Sequence, residues 1–262
     1  MKTVRSVRIC FLVCVSLGLG GCASDPAPVY VPDAKLSRHL LDAVASNTRR
    51  DEDRARDAYR RPAEVLAFFQ VEPGMKIADL MGSAGYYSAI LGRAVGPQGK
   101  VYLQNNKRVR NLFGNRGFEG RQAKGDLPNV ARWDRELEDL GFETGELDVA
   151  LLILFYHDTY WMGVDRAKMN AEVFRSLRPG GVYGIIDHFA KDGSRERYVE
   201  SLHRGDAEQI KAEILAAGFI LEAESDLLRH PEDDRTKNVF RRGMRGRTDR
   251  FVYRFRKPTG SR

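Results

Sequence analysis

The stretch Leu147-Asp148-Val149-Ala150-Leu151-Leu152-Ile153-Leu154-Phe155-Tyr156-His157 constrains the fold more than any other part of this chain. After Asp148 come eight apolar residues without a polar interruption. A strand wet on one face alternates apolar and polar side chains, and this one does not. Such a run suits a strand covered on both faces, in the middle of a parallel sheet. Parallel neighbours need crossover connections, and the flanking sequence supplies them. MKIADLM (75–81) reads as a strand, Ala84 to Val95 as a helix burying Tyr87, Ile90 and Leu91, and KVYLQ (100–104) as a second strand. Residues 106–127 are basic and glycine-containing, and a helix followed by a loop is expected there. Asn129 to Trp133 is a weakly marked third strand. Residues 165–177 carry Met169, Val173, Phe174 and Leu177 at helical spacing. Arg178-Pro179-Gly180-Gly181 then turns the chain into the strand GVYGIIDHF (181–189). Residues 206–217 read as a helix ended by Gly218, and 219–225 and 250–256 as an antiparallel pair. In the latter, Phe251, Tyr253 and Phe255 share one face, and Arg254 and Arg256 the other. The order predicts an α/β domain: a mostly parallel sheet flanked by helices, with a C-terminal antiparallel strand pair. Such sheets take ligands at the carboxyl ends of their strands.

The chain has 262 residues, 42% of them hydrophobic and 30% charged, which suits one domain and excludes disordered, collagenous and polytopic membrane classes. Its net charge of +7 owes something to Lys2, Arg5 and Arg8 near the start, where there is no acid. The remainder is only mildly basic, a poor fit for a nucleic-acid partner.

Residues 1–8 are basic, and residues 9–19 are apolar but too short to span a membrane convincingly. They lead into Leu19-Gly20-Gly21-Cys22, which resembles the bacterial lipoprotein signal. That resemblance implies cleavage before Cys22, a diacylglycerol on its thiol and a further fatty acyl chain such as palmitate on its amine. With Ala23 and Ser24 following, it also implies sorting to the outer membrane, on the periplasmic face of the cell envelope. An ordinary secretory signal with a cysteine near its end is the alternative. The expected organisation is a signal peptide over 1–21, a lipidated cysteine and proline-bearing tether over 22–34, and one domain over 35–262 with an N-terminal helical extension. Cys10, Cys14 and Cys22 are the only cysteines, so the domain has no disulfide, no thiolate nucleophile and no cysteine metal site. Within the extension, 35–46 is a candidate helix, the charged stretch Arg49 to Arg61 a solvated face or a lid, and 62–70 a helix opened by Pro62 and burying Val65, Leu66 and Phe69.

Ile77-Ala78-Asp79-Leu80-Met81-Gly82-Ser83-Ala84-Gly85-Tyr86-Tyr87-Ser88 places small residues where a strand turns tightly into a helix. Gly82 and Gly85 permit close backbone approach, and the helix start aims N–H groups above the strand. By itself this is either a nucleotide-cofactor loop or a strand-helix turn with no ligand. The segment resembles the class I S-adenosylmethionine-dependent methyltransferases, whose pattern runs D-L-G-x-G-x-G-Y-Y-S/T. Asp79, Leu80, Gly85, Tyr86, Tyr87 and Ser88 match, while Met81 and Ser83 replace two glycines. More narrowly, the chain is similar to a group of predicted, mostly exported methyltransferase-like proteins. The features shared with that group are Arg61-Pro62, Gly85-Tyr86-Tyr87, Tyr156-His157-Asp158 and Gly246-Arg247-Thr248-Asp249-Arg250-Phe251, over about residues 50–258. The resemblance implies a Rossmann-like class I methyltransferase fold and S-adenosylmethionine as cofactor, held by Asp79, Gly82, Ser83, Gly85 and Tyr86. It also implies Asn105 at the position where the family has a carboxylate for the ribose hydroxyls. Glu136 is implied beside the adenine amino group, with Asp134 a close competitor. Asp148, at the start of its strand, reads as structural.

Tyr156-His157-Asp158 falls at the carboxyl end of the strongest strand, on the ligand-binding edge. His157 is a candidate general base, Asp158 its orienting or substrate-binding neighbour, and Tyr156 the third member. The plainer alternative has His157 and Asp158 capping local backbone. Asp187-His188 ends the next strand on the same rim. His157, Asp187 and His188 are a conceivable metal set, but no ligand spacing supports it and no metal is expected. His203 and His230 stand alone and suggest surface or core roles. The tail from Arg241 to Lys257 holds seven arginines and one lysine. It suits phosphates of lipid or lipopolysaccharide, or, preferably, the wet face of an edge strand. Two functions remain open. One is a methyltransferase of unspecified acceptor in the cell envelope, the other a non-catalytic or repurposed small-molecule-binding lipoprotein on the same fold. The second gains weight because S-adenosylmethionine is made in the cytoplasm.

Overall fold

The computed structural model describes residues 29–260. The proposed signal peptide, Cys22 and most of the tether therefore lie outside the described residues. Seven strands form one sheet: β1 (Lys76–Leu80), β2 (Lys100–Gln104), β3 (Val130–Trp133), β4 (Leu147–Ile153), β5 (Leu177–His188), β6 (Ile220–Ser225) and β7 (Arg250–Arg256). Their order is β3-β2-β1-β4-β5-β7-β6. The first five run parallel, and β7 is antiparallel to both β5 and β6.

Each apolar strand feeds both faces. In β4, Val149 and Leu151 enter the core on one side, and Ala150 and Leu152 the core on the other. On the first face pack the helices Arg38–Ala45, Pro62–Phe68 and Tyr86–Ala94, through Leu40, Leu66 and Ile90. On the second pack Arg166–Ser176 and Ala207–Ala216, through Val173 and Ile210. Both of these helices begin at an aspartate that caps them. Asp165 accepts from the Lys168 N–H, and Asp206 from the N–H groups of Glu208 and Gln209.

Several expectations change in detail. β4 stops at Ile153, before the predicted end at His157. Leu154 there adopts φ +59°, a conformation most side chains avoid, and donates its N–H to Ile186 O at 2.7 Å. Tyr156–Trp161 is a short helix above the strand end, so Tyr156-His157-Asp158 opens a helix rather than closing a strand. The 106–127 region holds more helix than expected: a π-helical turn over Arg110–Gly114 joins two helical pieces, Lys107–Val109 and Asn115–Gln122. The Arg-Pro-Gly-Gly turn is absorbed into β5 as an irregularity in its pairing with β4.

The charged stretch 49–61 is not a solvated face. It forms two short helical turns, Asp51–Arg54 and Asp57–Arg60, and buries Asp53 and Asp57, while Asp51 and Glu52 face solvent. Arg49, 2% exposed, grips Asp57 with two hydrogen bonds of 2.7 Å, and the buried Arg121 reaches Asp53 at 2.6 Å. The basic tail is also corrected. β7 is an interior strand, and β6 forms the edge. Arg254 and Arg256 both pair with Glu222 on β6, and Arg256 also donates to Gly180 O. No described helix is long and apolar enough to cross a membrane.

Candidate active site

At the carboxyl end of β1, Asp79 is buried and accepts the Ser88 hydroxyl at 2.5 Å. Burial pushes its carboxyl up to about 6, against the opposing pull of Ser88 and of the Arg60 charge. The loop that follows keeps a glycine-like backbone at two positions that are not glycine. Met81 and Ser83 both adopt φ +52°, and Gly85 φ +83°. Hydrogen bonds from the end of β2 hold the two unfavourable positions. Gln104 Oε1 accepts the Met81 N–H at 2.9 Å. Asn105 clasps Ser83 from both sides, its Oδ1 accepting the Ser83 N–H and its Nδ2 donating to Ser83 O, each at 2.9 Å. Holding a non-glycine residue in this region costs on the order of 1–3 kcal/mol, which these bonds offset. Close packing fixes the remaining shape. A Cβ on Gly82 would stand 2.7 Å from Asp79 Oδ2, and one on Gly85 2.7 Å from Leu103 Cδ1.

Asn105 is thus tied to the loop through both of its amide atoms. Asn105→Asp, although it supplies a carboxylate, removes the donor to Ser83 O and sets a negative oxygen against it. The variant is expected to lose about 1–3 kcal/mol of stability in urea melts. A variant as stable as the wild type would show the clasp to be dispensable. Gln104 was not singled out in the sequence; only its place at a strand end, one residue before Asn105, marks it. Glu136 is exposed beyond β3 and accepts the Lys107 N–H at 3.2 Å, which brings it beside the end of β2. Asp134 is paired with Arg110 and Arg132. Asp148 lies at the opposite end of the parallel strands, bound to the Lys76 N–H and to Arg178, as expected of a structural residue. The Tyr86 hydroxyl donates to Asp57 at 2.6 Å, and the Arg60 guanidinium covers its ring at 4.3 Å. The charged segment therefore lies over the start of the helix that follows the loop.

The second cluster stands above β4 and β5. His157, 2% exposed, lies between two carboxylates. Its Nδ1 is 2.7 Å from Asp187 Oδ1, and its Nε2 3.1 Å from Asp158 Oδ1. Its backbone N–H also reaches Asp187, at 2.8 Å. Burial disfavours the charged ring, but the two carboxylates outweigh it and raise the imidazole to about 10. At neutral pH His157 is therefore an imidazolium, hydrogen-bonded through Nδ1 to Asp187 and with Nε2 near Asp158 but outside hydrogen-bond geometry, and a base role would require it to give up that proton. Asp158 Oδ1 is shared further, with Trp161 Nε1 at 2.9 Å and His203 Nδ1 at 3.0 Å. His203 is thus part of the site, not an isolated residue. Tyr156 turns the other way, toward Glu213 and Asn170 in the helix layer.

His157, Asp158 and His203 offer ligand atoms within 4.8 Å of one another. This set differs from the one conceivable in the sequence, and here the Asp158 carboxylate stands between the two imidazole rings. A cavity of about 440 Å³ opens beside them, bordered by Tyr160, Trp161, Glu196 and Glu200.

No family model matches the chain. Over 115 residues it is 31% identical to the ubiquinone/menaquinone biosynthesis C-methyltransferase UbiE of Vibrio parahaemolyticus, covering 44% of this chain and 42% of that protein. The chain therefore matches less than half the length of that curated relative. Among solved structures it resembles a SAM-dependent methyltransferase from Aquifex aeolicus, with TM-score 0.55, 20% identity, and coverage of 75% of this chain and 89% of the other. It also resembles the [4+2]-cyclase SpnF, with TM-score 0.58, 16% identity, and coverage of 84% and 92%. The fold is the Rossmann-like fold of the class I S-adenosylmethionine-dependent methyltransferases.

Proposed function

We propose that this chain is an S-adenosylmethionine-dependent methyltransferase of unspecified acceptor. The observation that carries this reading is the loop after β1. Met81 and Ser83 are held in left-handed conformations that glycine adopts freely, so the cradle outlasts the loss of two glycines. The residues present fit the cofactor unevenly. Gly82, Ser83, Gly85 and the buried Asp79 build the floor on which its methionine half would rest. At the ribose, the amide of Asn105 is already engaged, and farther along that edge Glu136 is the exposed carboxylate without an arginine partner, placed for the adenine amino group. Bound there, the cofactor supplies an activated methyl group. The chain has then to align the acceptor and exclude water. In this reading Asp158 faces the acceptor above β4, with His157 fixing its orientation, while Tyr156 supports the helix from behind.

Calorimetric titration of the full chain with S-adenosylmethionine, and separately with its demethylated product, tests the reading. Micromolar binding at one site per chain is expected. A folded sample that binds neither up to millimolar ligand would overturn it. That outcome would select a second reading, a repurposed small-molecule binder, which the closed Asn105 clasp favours. The similarity to SpnF, which is called a cyclase, shows that a differently named protein has this fold.

The N-terminus supports a further part of this proposal: export, and anchoring through lipid on Cys22 at the periplasmic face of the outer membrane. Several acyl chains would hold the protein firmly. Labelling with a palmitate analogue is expected to mark the wild type and to fail for Cys22→Ser. An unlabelled wild type would remove the anchor.

A further inference from the structure

Beside the glycine loop, two guanidinium groups make no ion pair with a carboxylate among the described residues, although Asp53 and Asp79 lie within electrostatic range of Arg60 and Asp249 within range of Arg250. Arg60 has no hydrogen bond or ion pair among the described residues. It lies over the rings of Tyr86 and Tyr87, at 4.3 and 5.8 Å. Arg250 is 3% exposed and donates only to backbone carbonyls, Thr248 O at 3.3 Å and Tyr59 O at 2.7 Å. Its neighbour in sequence, Asp249, is engaged by Arg229 and Arg235. The bond to Tyr59 seats Arg250 against the segment that carries Arg60. Across the β5–β7 ladder, Arg250 stands opposite His188. That imidazole is 9% exposed, and its Nδ1 has no partner. The Tyr87 hydroxyl also makes no hydrogen bond among the described residues, although the side chain is buried.

These four groups share one electrostatic environment. The charges of Arg60 and Arg250 both act on Tyr87 and on His188, together with Asp79 and Asp57 on Tyr87 and with His157 and Arg204 on His188. Burial, then the adjacent cations, hold the His188 ring neutral, well below its ordinary value. Burial brings Arg250 down to about 10, and Arg60 adds to the fall. A buried charge is stable only with partners around it, and the buried Arg250 has backbone carbonyls alone, while the half-buried Arg60 has aromatic rings alone. A carboxylate or phosphate accepts several hydrogen bonds, donates none when ionised, and is matched by the planar guanidinium.

We propose that Arg60, Tyr87, His188 and Arg250 form a pocket for an anionic group, a carboxylate or phosphate, carried by the methyl acceptor. The proposal rests on the methyltransferase reading for the word acceptor, but not for the anion. His188 ends β5, two strands across from β1, or roughly 10 Å at ordinary strand spacing. That offset places the pocket beside the glycine loop rather than on it. The competing source of the same chemistry is the carboxylate of the cofactor itself.

The experiment titrates the full chain with inorganic phosphate and with acetate, each with and without S-adenosylmethionine. One saturable site per chain is expected for at least one anion, in both conditions. The preferred anion distinguishes a phosphorylated from a carboxylated acceptor. Arg60→Met and Tyr87→Phe, which remove no hydrogen bond from the fold, are each expected to weaken that anion by about tenfold or more. Affinity for S-adenosylmethionine should stay within about threefold. Absence of saturable anion binding would overturn the proposal. So would a tenfold loss of cofactor affinity in Arg60→Met, which would give the arginine to the cofactor carboxylate. Anion binding by a wild type that ignores S-adenosylmethionine would retain the pocket and defeat only the methyltransferase reading.

Discussion

Replacing His157 with alanine is expected to cost about 3–5 kcal/mol of stability at pH 7, the usual penalty for removing one partner of a buried ionic contact. The imidazolium lies between Asp158 and Asp187, and its loss leaves two buried carboxylates facing each other without a cation. The contribution also has a pH signature. The folded ring titrates at about 10 and a free imidazole at 6.5, so the folded state holds the proton more tightly. The stabilisation is therefore complete below about pH 6.5 and is lost as the pH rises through the folded value near 10. Urea melts between pH 6 and 10 should show the wild-type midpoint falling over that window, with less fall in His157→Ala. A variant with the wild-type midpoint at pH 7 would mean that the ring is neutral and the pairing weak. His157→Gln, which keeps a donor toward the carboxylates, is the variant for activity. It is expected to lower turnover more than cofactor affinity.

Gly85→Val is expected to weaken S-adenosylmethionine binding by at least about 100-fold, or roughly 2.7 kcal/mol. Valine is β-branched and avoids the positive φ of this position, and its Cβ would meet Leu103 Cδ1 at 2.7 Å. The loop must then either move off β2 or change its backbone. Gly82→Ala presses on Asp79 instead and should weaken binding in the same direction by a smaller factor. Calorimetry on folded variants checks both. Wild-type affinity in Gly85→Val would show that the ligand does not rest on this loop.

The sheet was legible because burial on both faces leaves an unmistakable run of apolar residues, as in Val149–Ile153. The glycine loop was legible because tight turns restrict residue choice. Its two departures from the pattern were not, since Met81 and Ser83 take glycine-like conformations only through Gln104 and Asn105, over twenty residues away. The burial of 49–61 was hidden for a related reason. A dense mixture of acids and arginines looks solvated until a partner such as Arg121, far along the chain, is seen to reach Asp53. His203 carried no local sign of its place beside Asp158, because 45 residues separate them. The tail arginines misled in the opposite direction. Charge on a strand suggests an edge, but here Arg254 and Arg256 on an interior strand share Glu222 of the neighbouring strand.

The interior place of β7 governs the timing of folding. Among the described residues β6 has no sheet partner other than β7, which follows it in the sequence. Until the residues near 256 emerge, β5 ends in an open edge and the helix Ala207–Ala216 packs against an incomplete layer. The nascent chain can collapse around β1, β4 and β5, yet it cannot close. A protein built this way closes its sheet only once β7 is in place, and loss of residues 250–260 removes the keystone between two strands rather than trimming an end.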